Sequence, residues 1–162
     1  MELNQKIGEI LKKHVEGKKF FDALDYMIRS DADVLRIFMD FLKAEFNTSC
    51  FNHSTGIILT GEFGHALFNN YRPQLLELSR DIIFVGGGLR EPNKKAELYV
   101  DHVSSNNYIL LDDSIYSGNT AMNINQALYE SNQSTIYQIF VIYDGSKDFD
   151  QINIKSLFKY HQ

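Results

Sequence analysis

The feature that most constrains this chain is an apolar run that ends on a pair of acids. Tyr108-Ile109-Leu110-Leu111 leads straight into Asp112-Asp113. A short apolar run without alternation suits a strand covered on both faces, as in a parallel sheet with helices on each side. The residues that follow, Ser114-Ile115-Tyr116-Ser117-Gly118-Asn119-Thr120, read as a loop opening into a helix, whose apolar face is Met122, Ile124, Ala127 and Leu128. At the carboxyl end of a parallel strand, such a loop lies in the crevice where open α/β sheets bind ligands. Gly118 permits a tight turn, and the N–H groups beyond it, with the hydroxyls of Ser117 and Thr120, can converge on a phosphoryl group at the helix start. Carboxylates beside a phosphate would repel it if they faced it. Facing a sugar, they accept hydrogen bonds from vicinal hydroxyls and help to hold a hydrated Mg2+.

The rest of the chain alternates in the same way. Thr55 to Thr60 predicts a buried strand, Gly61-Glu62-Phe63-Gly64 a tight loop, and Ala66 to Leu78 a helix that Pro73 interrupts or restarts. Asp81 to Val85 predicts a second strand. Gly86 to Lys95 is polar and glycine-rich and is expected to be mobile; Glu97 to Val103 reads as a strand at a sheet edge. Thr135 to Tyr143 is the last clear strand, and Ile152 to Tyr160 shows only mixed spacing. Upstream, the spacings of Leu3 to Val15, Phe20 to Ile28 and Val34 to Leu42 predict two or three helices, the last starting near Ser30 and Asp33. The expectation is one domain over residues 1–162, with a helical segment or hood at 1–46 and an α/β core at 55–145 built on a parallel sheet.

Composition removes several classes of function. A net charge of -5 over 162 residues argues against a nucleic-acid partner for the chain as a whole. Cys50 is the only cysteine, so no internal disulfide forms. No apolar run approaches the roughly 20 residues that span a bilayer, and Met1 to Lys6 has no leader-like character, so no membrane and a cytoplasmic location are expected. His14, His53, His65, His102 and His161 show no metal-ligand spacing; His65 is placed where it could face the site. Met27, Met39 and Met122 are expected in the core. Tyr143, Asp144 and Phe149 follow the last strand, where an aromatic ring could either stack on a base or pack.

The stretch Ile109-Leu110-Leu111-Asp112-Asp113-Ser114-Ile115-Tyr116-Ser117-Gly118-Asn119-Thr120-Ala121 resembles the phosphoribosyl-diphosphate (PRPP) signature of the type I phosphoribosyltransferases. That signature is an apolar strand, an acid pair, and a small-residue loop closed by Thr or Ser. The resemblance implies that Asp112 and Asp113 bind the ribose hydroxyls and that Tyr116, Ser117, Gly118, Asn119 and Thr120 hold the 5-phosphate, with Ser114 beside them. It extends over roughly Gly56 to Tyr143. Gly61, Glu62, Phe63 and Gly64 occupy the place of the family's diphosphate loop, and Gly86 to Lys95 that of its flexible catalytic loop, with Arg90, Lys94 and Lys95 as candidate cations. The implied activity is transfer of the phosphoribosyl group from PRPP to a nitrogenous base, with Mg2+ on the diphosphate and a homodimer as a possible assembly. Tyr116 stands where the family has a small residue or an acid, and Gly61 to Gly64 contains no cation. An alternative therefore stays open: a non-catalytic domain of the same kind that binds PRPP or a nucleotide as a regulatory or interaction module.

Overall fold

The computed structural model describes residues 32–48, 54–86, 88–100 and 102–159, together with Gln5. The two helices expected before Ser30, and with them Met27, Cys50, His14, His53 and His161, lie outside the described residues. In chain order the elements are α1 (Ala32–Thr48), β1 (Gly56–Thr60), α2 (Gly61–Leu78), β2 (Ile82–Gly86), β3 (Glu97–Tyr99), β4 (Asn107–Ile115), α3 (Asn119–Asn132), β5 (Thr135–Asp144) and β6 (Asn153–Lys159). Among the described residues, no helix is long and apolar enough to cross a membrane.

The six strands form one sheet in the order β3-β2-β1-β4-β5-β6. All neighbours pair in parallel except β2 and β3, which run antiparallel through Phe84↔Tyr99 and Gly86↔Glu97. The sheet is therefore mixed, not purely parallel. The chain joins β2 to β3 without a helix, and a direct return of that kind gives an antiparallel pair. The edge strand is also shorter than expected: it stops at Tyr99, and Val103 lies in the connection to β4.

Side-chain alternation sorts the core into two layers. Ile57 and Leu59 of β1, Ile109 and Leu111 of β4, and Phe140 and Ile142 of β5 pack under α1 and α2. Ile58, Tyr108, Leu110, Ile139 and Val141 face the other way, onto Ala121, Ile124 and Leu128 of α3. Coverage on both faces is why these strands read as unbroken apolar runs. In α1, Val34, Leu35, Phe38, Met39 and Leu42 form one buried stripe at helical spacing. Met122 departs from expectation: it lies on the outer side of α3 and is 38% exposed. In α2, Tyr71 leaves helical geometry (φ -131°, ψ 27°) two residues before Pro73, the kink that a ring without an N–H imposes.

Strand β6 extends the core to Lys159, beyond the boundary near 145 read from sequence. Polar residues hide it from a periodicity reading, yet they set its register. Gln138, only 3% exposed, donates from Nε2 to the Asn153 carbonyl at 2.9 Å, while Asn153 Nδ2 donates to Gln138 Oε1 at 2.8 Å. Lys155 then pairs with Glu45, tying β6 to α1.

A polar clasp closes the opposite end of the sheet from the strands' carboxyl termini. The Tyr108 ring is fully buried against Gly56, and its hydroxyl donates to the Asp81 carboxylate. The Ser104 hydroxyl (3.0 Å) and the Ser105 hydroxyl donate to the same oxygen, and Ser105 N–H donates to the Tyr108 oxygen at 3.2 Å. Burial, then the Asp81 contact, push the Tyr108 phenol up to about 12. Tyr108→Phe keeps the ring and removes only the hydroxyl, leaving Ser105 N–H without its acceptor. It is expected to lower stability by about 1–2 kcal/mol, read as a lower urea midpoint with unchanged m-value.

Candidate active site

The strand order creates the site. From β1 the chain crosses through α2 to β2 on one side; from β4 it crosses through α3 to β5 on the other. The carboxyl ends of β1 and β4 therefore diverge, which is where open α/β sheets leave a crevice. Here it is an open cavity of about 1320 Å³. Strand β1 makes its last pair with β4 at Leu59↔Leu111, whereas β4 continues beside β5 to Ile115↔Asp144. From Asp112 onward, the side of β4 that faced β1 opens onto the cavity.

The acid pair sits at that point. Asp112 and Asp113 follow directly on buried Leu110 and Leu111, and their carboxyls interact with each other at the mouth of the crevice. Burial pushes the Asp112 carboxyl well above the ordinary carboxylate range; the Asp113 charge adds to the rise, and the Arg90 guanidinium offsets part of it. Asp113 N–H donates to Asp112 Oδ1 at 2.8 Å, and the Ser114 hydroxyl donates to Asp113 Oδ1 at 3.2 Å. Both carboxyls line the cavity, and so do Arg90 and Lys94 from the segment between β2 and β3.

The expected loop is more compact than the sequence suggests. Strand β4 includes Asp112 to Ile115, and α3 already begins at Asn119, so only Tyr116 to Gly118 remain as a turn. Gly118 has φ +82°, and its α-carbon lies against the Phe149 ring: a Cβ would stand 2.1 Å from the Phe149 Cδ2 atom. Position 118 thus excludes side chains both by backbone and by space. Phe149 supports the turn by packing. The residue at the N-cap of α3, Gly118, has no side chain to close the helix start, and Ser117 to Ala121 line the cavity. Asn119 N–H donates to the Ser117 hydroxyl at 3.3 Å.

Gly61 to Gly64 forms the first turn of α2 rather than a separate loop. Gly61 alone makes the corner, with φ +67°. Gly61, Glu62 and Phe63 line the cavity; Gly64 does not, because it faces the Leu59 backbone at close packing distance. Lys95 is likewise outside the lining, whereas Lys94 is in it and pairs with Glu91 at 3.4 Å. His65 lines the cavity and stacks on Phe84 with ring centroids 5.0 Å apart. Tyr116 lies between this cavity and a smaller one of about 500 Å³ that holds Lys147, Asp148, Phe149 and Gln151. Its ring is 5.9 Å from that of Tyr143 and covers Gly145, and burial raises its phenol.

The segment between β2 and β3, expected to be mobile, is bound to α3. Asn119 Nδ2 donates to the Arg90 carbonyl at 3.0 Å, and the Thr120 hydroxyl to the Leu89 carbonyl at 3.3 Å. Asn123, absent from the residues singled out in the sequence, donates to the Leu89 carbonyl at 3.0 Å and the Glu91 carbonyl at 2.8 Å, and accepts from Lys94 N–H at 3.1 Å. Leu89 and Ala96 are pegged into the α3-side core. The available signal was an Asn at helical spacing from Asn119 on a face otherwise carrying Ile124 and Leu128. Tyr99, also in the lining, was legible only as an edge-strand aromatic.

No family model and no curated protein matches the chain by sequence. Solved structures do match. An adenine phosphoribosyltransferase from Thermoanaerobacter pseudethanolicus superposes with a TM-score of 0.58 at 19% identity, over 82% of this chain and 84% of that one. An orotate phosphoribosyltransferase from Aeropyrum pernix gives 0.60 at 14% identity, over 82% and 75%. An adenine phosphoribosyltransferase from Trypanosoma brucei, in complex with AMP, pyrophosphate and ribose-5-phosphate, gives 0.57 at 17% identity, over 82% and 67%. The fold is that of the type I phosphoribosyltransferases.

Within this phosphoribosyltransferase fold the Asp112 carboxyl, desolvated and beside Asp113, is costly to the folded state. A carboxyl whose folded pKa is raised destabilises the fold once pH rises above its unfolded value, because the unfolded chain releases that proton more readily. Stability at a given pH is therefore expected to rise in Asp112→Asn, which keeps an acceptor for Asp113 N–H and removes the desolvated charge. The increase in Tm should be about 2–4 °C for each kcal/mol relieved, large at pH 8 and shrinking toward pH 4. Scanning calorimetry across that range measures it. Gly118→Ala is expected to lower Tm instead, through the clash with Phe149.

Proposed function

We propose that this chain transfers the phosphoribosyl group of PRPP to a nitrogenous base and releases diphosphate. The observation that carries this reading is one cavity bounded by three kinds of group: the Asp112-Asp113 pair, the turn from Tyr116 to the start of α3, and the Arg90 and Lys94 cations on the facing segment. Each suits a different part of such a molecule. The carboxylates suit the ribose hydroxyls, the Gly118 turn and leading N–H groups of α3 suit the 5-phosphate, and the cations suit the diphosphate. The T. brucei enzyme of this fold has been crystallised with AMP, pyrophosphate and ribose-5-phosphate, which supports ligands of that class here.

In the transfer, the bond from the anomeric carbon to the diphosphate oxygen breaks and its electron pair leaves with the diphosphate. The acceptor nitrogen forms the new bond with its lone pair and loses its proton to water. The chain's own contribution is positioning and charge stabilisation. Asp113 and Asp112 orient the sugar and favour positive charge on its ring, while Arg90 and Lys94 favour negative charge on the leaving group. The donor set fits Mg2+: adjacent carboxyls, one of them desolvated, gain from a shared cation, and this ion keeps most of its waters and substrate oxygens as ligands. Asp112 and Asp113 would hold it, and when bound it would offset the diphosphate charge. Among the described residues no group of three or more His, Cys, Asp or Glu side chains forms a cage made by protein alone.

A second reading, a domain that binds PRPP or a nucleotide without turnover, is favoured by two features. Glu62 puts a carboxylate, not a cation, in the first turn of α2, and the Tyr116 ring fills space beside Gly145. Mg2+ with PRPP is expected to raise Tm by several degrees, since a ligand that binds only the folded state must do so. Asp112→Asn/Asp113→Asn should abolish the shift. Diphosphate release in the presence of adenine, orotate or another base identifies the transferase; a shift without release under all bases identifies the binding module. No shift with either PRPP or ribose 5-phosphate would overturn both.

A further inference from the structure

We propose that Asn123 is a positioning residue that locks the Arg90–Lys94 segment onto the phosphate turn before any ligand arrives. This rests on the transferase reading of the cavity.

Asn123 is 6% exposed, on a helix face that otherwise packs Ala121, Ile124 and Leu128 into the core. A carboxamide there is costly unless its hydrogen bonds are made, and an apolar side chain would suit the surroundings better. Its three bonds all go to one place: the Leu89 and Glu91 carbonyls accept from Nδ2, and Lys94 N–H donates to Oδ1. These partners are 29 to 34 residues away in the chain. They bracket Arg90, whose own carbonyl accepts from Asn119. One buried amide therefore fixes the backbone on both sides of the Arg90 side chain and at Lys94 itself.

The consequence is mechanical. The turn proposed to hold the 5-phosphate and the segment proposed to face the diphosphate are fastened to the same first turns of α3. The distance between the two charge-binding ends is then set by the protein, and the ordering of the segment is completed during folding rather than on binding. Arg90 already acts on Asp112 electrostatically in this arrangement. Without the Asn123 bonds, Leu89 remains pegged and Arg90 keeps only the Asn119 bond, while Glu91 and Lys94 lose these bonds to α3.

The test compares the parent with Asn123→Ala and with Asn123→Asp. The second is isosteric, keeps an acceptor for Lys94 N–H, loses the donor, and serves if the alanine variant does not fold. Hydrogen exchange on the ligand-free proteins reads the lock directly. The Lys94 amide should exchange at least tenfold faster in Asn123→Ala, with less change in Asn123→Asp, while amides in the second half of α3 stay as in the parent. Calorimetric titration with Mg2+ reads the function. PRPP should bind tenfold or more weakly to the variants, and ribose 5-phosphate, which has no diphosphate, within twofold of the parent. Unchanged Lys94 exchange would overturn the lock. Equal weakening of both ligands would overturn its specific service to the diphosphate end. A parent that takes neither sugar phosphate would overturn the transferase reading and with it the role, whatever the exchange data show.

Discussion

The arrangement of this protein depends on a reversal of winding between two adjacent parallel strands. β1 and β4 are hydrogen-bonded neighbours, yet their following helices depart to opposite faces and opposite sides of the sheet. The helix after β1 cannot cover the end of β4, and the helix after β4 cannot cover the end of β1. A crevice is the geometric result. The two apolar layers hold both strands rigid beneath it, because every residue from Ile57 to Leu59 and from Tyr108 to Leu111 is fully or almost fully buried. Side chains placed just past those positions are presented by a stiff platform, which favours precise positioning.

That platform explains how acids come to occupy a site of mixed charge. Asp112 belongs to the strand's own pleat and inherits the desolvation of Leu110 below it, whereas a loop carboxylate would turn to water. Its raised pKa has burial as the first cause and Asp113 as the second. Such an arrangement weakens the folded state without a ligand and favours a partner that brings hydroxyl donors or a cation. Perturbed carboxyls in a cavity are characteristic of functional sites for this reason.

The segment between β2 and β3 shows what local composition leaves out. Its glycine and lysine content reads as a mobile loop, but backbone carbonyls at Leu89, Arg90 and Glu91 all find donors on α3. Local composition describes what the segment itself can bury; it is silent on what another element offers. The same limit applies to β6, where Gln138 and Asn153 satisfy each other across strands.

The amino-acid sequence by itself determined the apolar strand that leads into Asp112-Asp113, the glycine turn that follows, the burial of β1, β4 and β5, and the stripe of α1. Each is legible because the controlling physics is local: period, apolar run length, and the backbone demands of Gly118. Only the tertiary structure decided that β3 runs antiparallel, that Gly61 to Gly64 winds into α2, that β6 joins the sheet, and that Asn123 rather than solvent binds the cationic segment. Those outcomes rest on contacts between residues far apart in the chain. Hydrogen-bond partners of that kind leave no periodic trace, since an Asn that satisfies a distant carbonyl and an Asn exposed to water are the same letter.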